Sequence, residues 1–262
     1  MKSTVLITGA SSGIGYEFAK IFAKKHYNLV IVARSKGKLL QIKKEFEYKY
    51  KISVTVIVKD LSEKDAAYDV FDALQDKGIH VEILINNAGF GDFGKFVDCD
   101  WNKQYEMVQV NIIAMMQMTK CFMKPMIREG HGKILNLSST AAFQPGPYMS
   151  NYYAGKAFVL SFTEAISMEL KGTGVTIMAL CPGPTRTGFE SVATLGKSKL
   201  FRTLKVAKAS EVAKFGYKRL WKGKTVAVHG IQNKALSLGI KVTPRKLIRT
   251  IMCHLQGEYH FK

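Results

Sequence analysis

Thr4-Val5-Leu6-Ile7-Thr8-Gly9-Ala10-Ser11-Ser12-Gly13-Ile14-Gly15 is the stretch that decides the fold. An apolar run of strand length delivers the backbone to a glycine turn, and a helical pattern begins at once behind it. Gly9 and Gly13 let the backbone approach a phosphate without a Cβ in the way. Gly15 lets the following helix pack close, and that helix turns its free N–H groups and positive dipole end towards an anion. The spacing is Gly-x-x-x-Gly-x-Gly, not the commoner Gly-x-Gly-x-x-Gly, so an ordinary Gly/Ser-rich turn between a strand and a helix remains open on the glycines alone.

Outward from that turn, short β-branched runs alternate with longer helical segments. This is the order expected of an α/β parallel sheet with helices on both faces. Strands are predicted at residues 28–33, 53–58, 83–85, 133–137, 175–180 and 225–228, after the first at 4–7. Helices are predicted over 36–48, from Ser62 as N-cap, over 101–126 as one long element, from Tyr152 to about residue 171, and over 210–221. No Pro/Gly/Ser-rich linker divides the 262 residues, so one domain over 1–262 is expected, with 188–208 as a polar-basic candidate lid and 231–262 as an amphipathic, helical C-terminal extension.

Composition narrows the function. The four cysteines, Cys99, Cys121, Cys181 and Cys253, stand singly, and the six histidines show no ligand spacing, so neither a disulfide framework nor a structural metal is expected. Met1-Lys2 leads straight into the first strand without a signal-peptide core, and the apolar runs are too short to span a bilayer, which together predict a cytoplasmic protein. Of the net charge of +19, +14 lies in residues 196–262, where sixteen Lys/Arg face only Glu211 and Glu258. Such a patch suits anionic lipid, nucleic acid or acidic substrates, or is a plain solvated lysine surface. No recognition helix or aromatic-basic strip favours nucleic acid.

Tyr152 and Lys156 are four residues apart and share a helix face. An ammonium beside a phenol stabilises phenolate, so Lys156 is expected to lower the Tyr152 pKa towards the working range of an acid-base catalyst. The same spacing also arises on many helices without catalytic meaning. Ser139 at the predicted C-terminal end of a strand joins them where open α/β sheets build their sites.

In the order glycine turn, Asp60, Asn86-Asn87-Ala88-Gly89, Asn111, Ser139, Tyr152-x-x-x-Lys156 and Pro182-Gly183, residues 8–187 resemble the short-chain dehydrogenase/reductase family. Pro184-Thr185-Arg186-Thr187-Gly188-Phe189 and the long tail are similar to a bacterial subgroup of oxidoreductases and steroid-type dehydrogenases. The resemblance implies a Rossmann-like, doubly wound parallel sheet of about seven strands with helices on both faces, binding a nicotinamide dinucleotide, and a catalytic set of Asn111, Ser139, Tyr152 and Lys156. Tyr152 would exchange a proton with the substrate oxygen, Ser139 would hydrogen-bond that oxygen, and Lys156 would hold the nicotinamide ribose. Asn111 would distort its helix and hold a water leading to Lys156. Gly9, Ser11, Ser12, Gly13, Ile14 and Gly15 would cradle phosphates. Asp60 and Leu61 would contact adenine, with helix capping as an equally simple role for Asp60. Asn87, Ala88 and Gly89 would line the adenine ribose, and Pro182, Gly183, Thr185 and Thr187 would lie against the carboxamide. At the end of the second strand Ala33-Arg34 stands where an NAD enzyme carries an acid. A guanidinium there favours NADP(H), with NAD(H) possible because Ser11-Ser12 adds no second cation.

Three loops implied to select the substrate, residues 90–97, 140–151 and 188–208, contain Phe90, Phe93, Phe143, Pro145, Tyr148, Met149, Phe189 and Leu195. They predict a hydrophobic carbonyl or alcohol as substrate. The resemblance also implies a homodimer or homotetramer paired through the 101–126 and 152–171 helices. The tail is expected to pack on the protein; covering the substrate cleft, or lying on an anionic membrane through Lys241, Arg245, Lys246 and Arg249, are the alternatives. A non-catalytic dinucleotide-binding regulator and a membrane-surface lipid or acyl carbonyl reductase are the rival functions.

Overall fold

Each strand of the central sheet is apolar along nearly its whole length because both of its faces are covered. Side chains alternate across it. Val5, Ile7, Leu29 and Ile31 pack with Phe18, Phe22 and Phe46 on one face, while Leu6, Val30 and Leu84 pack with Leu74, Met118 and Phe122 on the other. The computed structural model describes residues 3–188 and 206–257.

The strands β1 (Thr4–Thr8), β2 (Asn28–Ala33), β3 (Val54–Val58), β4 (Ile83–Asn86), β5 (Gly132–Leu137), β6 (Val175–Cys181) and β9 (Val226–Val228) form a seven-stranded sheet in the order β3-β2-β1-β4-β5-β6-β9. All of its pairings are parallel. The order reverses between β1 and β4, and a crevice opens there at the strand C-terminal ends. A small parallel pair, β7 (Thr185–Arg186) with β8 (Ala207–Lys208), flanks the segment that includes residues 189–205. Most of the expected lid, with Phe189 and Leu195, therefore lies outside the described residues, as do residues 258–262 of the extension.

Helices α1 (Gly13–Lys24), α2 (Lys36–Tyr50) and α6 (Ser150–Glu169) fall where the sequence places them, and α7 (Ala209–Leu220) follows β8. Three elements differ. Helix α3 spans Ala66–Gln75, so Ser62 is not its cap. Instead Ser62 donates from both its N–H (2.9 Å) and its hydroxyl (2.8 Å) to Asp60 Oδ1, an Asx-type turn that keeps the chain out of the helix for another four residues. The single helix expected over 101–126 is α4 (Trp101–Val108) and α5 (Met115–Glu129), joined by a π-helical segment, Gln109–Ala114, which contains Asn111. The tail is two helices, α8 (Ile231–Val242) and α9 (Arg245–Gln256). Pro244 supplies no N–H and drives Thr243 into an extended conformation, which ends α8.

Behind the crevice, a buried polar ladder ties strands to helices. Asn86 Nδ2 donates to Asn136 Oδ1 (2.9 Å) and Thr119 Oγ1 (3.0 Å), and Asn136 Nδ2 donates to Thr163 Oγ1 (3.1 Å). It fixes α5 and α6 against β4 and β5 in one register, since any slip would strand buried amides.

Candidate active site

A cleft of about 1020 Å³ runs along the C-terminal edge of the sheet. Its floor begins at the glycine turn, where Gly9 (φ +65°) and Gly13 (φ +57°) occupy the left-handed region. A Cβ on Gly9 would lie 2.9 Å from Ala88 Cα, so that position excludes a side chain by space as well as by conformation, while one on Gly13 would press on Thr187 Cβ at 3.1 Å in a conformation that itself disfavours a side chain. Ser12, the N-cap of α1, makes no side-chain cap bond, and Ser11, Ser12, Gly13 and Ile14 line the cleft where α1 begins. Gly15 is not on that wall. A Cβ there would run into Gly9 O and Asn87 Nδ2, so its work is close helix packing.

A latch sets the distance between the turn and β4. Thr8 Oγ1 accepts from the N–H of Asn87 and of Ala88, each at 3.0 Å, and Asn87 Nδ2 donates back to Thr8 O at 2.9 Å. Asn87 lines the cleft, yet its amide serves the turn.

At the outer end of the cleft, Arg34 follows β2 and Asp60 and Leu61 follow β3. Arg34 Nη1 lies 3.4 Å from Asp60 Oδ2. Burial would raise the Asp60 carboxyl, but the two Ser62 hydrogen bonds and Arg34 outweigh it and hold it below the usual range. Lys38, exposed on the first turn of α2, joins this wall. Sequence reasoning passed over it, although an i, i+4 step from Arg34 along the start of a helix was signal enough.

Ser139, Tyr152 and Lys156 meet on the inner wall. Ser139 follows β5; its Oγ accepts from Ala141 N (3.1 Å) and hydrogen-bonds with Tyr152. Ser138 Oγ donates to Lys156 O (2.9 Å), which clamps α6 to the end of β5. Lys156 is buried, donates from Nζ to Leu137 O (2.8 Å), and lies 5.7 Å from the centre of the Tyr152 ring. The electrostatics correct one expectation. Burial pushes the Tyr152 phenol up to about 12, with the Ser139 bond opposing, and Lys156 is not among the influences on it. Burial also pulls Lys156 down to about 8, with the Cys181 thiol acting the other way. Desolvation at this wall favours the neutral form of each group more strongly than the ammonium favours phenolate.

Asn111 is buried one layer behind. Its Oδ1 accepts from Phe90 N (3.1 Å) and its Nδ2 donates to Phe90 O (2.8 Å), bonds that the π-helical bulge aims at the chain leaving β4. Gly89 lies between them and Lys156: a Cβ there would be 2.7 Å from Asn111 Oδ1 and 3.7 Å from Lys156 Nζ. Pro182, Gly183, Thr185 and Thr187 line the cleft after β6. A Cβ on Gly183 would meet Asn233 Nδ2 at 2.5 Å, so the first turn of α8 rests on this loop.

The far wall comes from the tail. Ile240, Ile248, Met252 and Gln256 line the cleft, and the first three pack with Met149, Tyr152 and Tyr153. Phe90, Phe143 and Met149 from the expected loops are also there. Tyr153, Asn233 and Gln256 had no pattern to mark them in the sequence. A nicotinamide dinucleotide fits these residues: a cradle with no room for Cβ atoms, an uncapped helix N-terminus, cations at one end and a phenol-lysine pair at the other.

Comparison with known proteins agrees with this geometry. Residues 3–197 match the model of the short chain dehydrogenase family. The chain is 30% identical over 231 residues to a 7beta-hydroxysteroid dehydrogenase of Mediterraneibacter gnavus, covering 88% of this chain and 87% of that one. It is 34% identical over 181 residues to a very-long-chain 3-oxoacyl-CoA reductase of Anas platyrhynchos, covering 68% of this chain and 58% of the relative. A short-chain dehydrogenase from Sphingobium yanoikuyae, solved in complex with NADPH, superposes with a TM-score of 0.83 over 99% of both chains at 26% identity. On these matches the chain belongs to the short-chain dehydrogenase/reductase family of NAD(P)-dependent oxidoreductases.

Proposed function

We propose that this protein reduces a carbonyl of a hydrophobic small molecule, or oxidises the matching alcohol, with NADP(H) preferred over NAD(H). The observation that carries this reading is the convergence of Ser139, Tyr152 and Lys156 on one wall of a cleft that begins at the glycine cradle. When bound, the nicotinamide supplies or accepts the hydride. Tyr152 Oη supplies the proton. A phenol held near pKa 12 stays protonated across neutral pH, which is the form that donates to a carbonyl oxygen. Ser139 Oγ orients that oxygen beside Tyr152. Lys156 holds the ribose hydroxyls and, fixed by Leu137 O, keeps its ammonium near Tyr152. Asn111 positions Gly89 and Phe90, and the second lone pair of its Oδ1 is available to a water on the way to Lys156.

Arg34, with Lys38 near it, meets the 2′-phosphate by exchanging its contact with Asp60 for a doubly charged partner. The apolar walls and the hydroxysteroid and very-long-chain acyl names of two relatives support a largely hydrocarbon substrate. Exposed Trp101, Tyr105, Phe158 and Met168 on α4 and α6 are the surfaces for pairing into a dimer or tetramer, and light scattering is expected to return the mass of two or four chains.

NADPH absorbance followed against a panel of bulky ketones tests the main reading. Tyr152→Phe is expected to lower turnover about 10²- to 10⁴-fold with NADPH affinity retained. Full activity in that variant overturns it, and binding without turnover of any ketone favours the regulator. One observation favours a membrane-surface form of the same enzyme: α9 exposes Leu247, with Ile251 and Leu255 at the cleft, beside Arg245, Lys246 and Arg249. Salt-sensitive co-sedimentation with anionic vesicles, lost on reversing those three charges, is its signature.

A further inference from the structure

The tail residues on the cleft wall, from Asn233 to Gln256, are all uncharged, and around Tyr153 the packing is apolar: Met149, Ile248 and Met252 enclose it. One amide interrupts this surface. Gln256, the last residue of α9, is fully buried and donates from Nε2 to the Tyr153 hydroxyl, while its Oε1 has no hydrogen-bond partner. The Tyr153 hydroxyl accepts that bond, and among the described residues its own proton has no acceptor. Burial and the neighbouring Tyr152 raise its pKa, so it is a neutral donor. An unmatched acceptor and an unmatched donor therefore sit together in a dry wall, with the Tyr153 ring centre 6.1 Å from that of Tyr152.

Buried polar atoms are almost always paired, and an orphan in such a wall is the mark of a group expecting a ligand. The complement of one acceptor beside one donor is a hydroxyl, which donates to Gln256 Oε1 and accepts from Tyr153 Oη. The match survives rotation of the amide: with Oε1 accepting from Tyr153, the free Nε2 donates to the same hydroxyl. A carboxylate has no proton to give Oε1 and would be buried without a cation. We propose that Gln256 and Tyr153 form a hydroxyl-reading subsite, and that the substrate is an apolar ketone or alcohol carrying a second hydroxyl on a carbon other than the reacting one. This rests on the reading of the cleft as a carbonyl reductase site.

The test uses the full chain with NADPH and a set of neutral bicyclic ketones: a decalone and its hydroxydecalones with the hydroxyl at successive ring positions. In wild type, at least one isomer is expected to exceed the parent decalone in kcat/KM by about tenfold or more. Gln256→Leu should erase that preference by lowering the hydroxylated ketone far more than the parent decalone, and Tyr153→Phe, which keeps the ring packing, should do the same. No preference in wild type, or a parallel fall for parent and hydroxylated ketones in both variants, overturns the subsite and leaves the pair as a fastening of α9. If no ketone is reduced at all, the reductase reading fails separately. Calorimetry of hydroxydecalone against decalone binding to the NADPH-loaded protein then decides the subsite, equal affinity overturning it.

Discussion

The two halves of the cleft are made in different ways. The half that begins at the glycine turn consists of strand ends tied to backbone by particular side chains: the Thr8–Asn87 latch and the Ser138 clamp on α6 hold it, and positive-φ glycines shape its turn. The substrate half is closed by a tail that contributes only a narrow buried stripe, Ile248, Met252 and Gln256 on α9 and Ser237 on α8, while Ile231 and Val242 stand 89% and 85% exposed. Hydrogen bonds between side chains and backbone hold one half in place, and replaceable packing closes the other. A family can therefore keep one reaction and change its substrate.

Breaking the first half should cost most. Gly15→Val would drive a branched side chain into Gly9 O and the Asn87 amide. It should lower stability by about 1–3 kcal/mol from overpacking and abolish the NADPH-dependent rise in melting temperature. A wild-type rise in that variant would show that the cradle tolerates α1 moving. The pH dependence probes the wall between the halves. Lys156 releases its proton near pH 8 in the folded chain and near 10.5 when unfolded, so between those values the unfolded chain binds more protons and stability climbs with pH. Below pH 8 the cost of the buried ammonium is present in full. Lys156→Met removes the titrating group and should lack the climb between pH 8 and 10, read from paired thermal melts.

The second half should yield more locally. Ile248→Ala removes a buried side chain from the tail stripe and should cost about 2 kcal/mol, raising KM for bulky ketones while the Kd for NADPH stays unchanged. A matching loss of NADPH affinity would mean that the halves are coupled. The smallest effect is at the rim. Arg34 is largely exposed, so Arg34→Ala should weaken NADPH about tenfold and NADH hardly at all, measured by fluorescence titration.

Much of this was legible in the chain because it is local. β1 and its glycine turn, the Tyr152–Lys156 step and Ser139 at a strand end depend on neighbours within a few residues, and a backbone that must bend or present a helix N-terminus writes that need into the sequence. Asn111 was legible through resemblance, but its bonds to Phe90, twenty-one residues away, came only with the bulged helix. Ser62 misled because Asp60 captured it first. Pro244 was a plain break signal passed over in a tail whose amphipathic pattern ran on both sides of it.

What the sequence by itself determined is the alternation of strands and helices that makes a parallel sheet and the glycine turn behind β1, since each follows from short-range spacing and chain sterics. The tertiary structure alone decided that α8 and α9 complete the cleft, that burial rather than charge governs Tyr152, and that Gln256 reaches Tyr153 across 103 residues. Burial and long-range pairing are sums over the whole fold, and no window of the chain contains them.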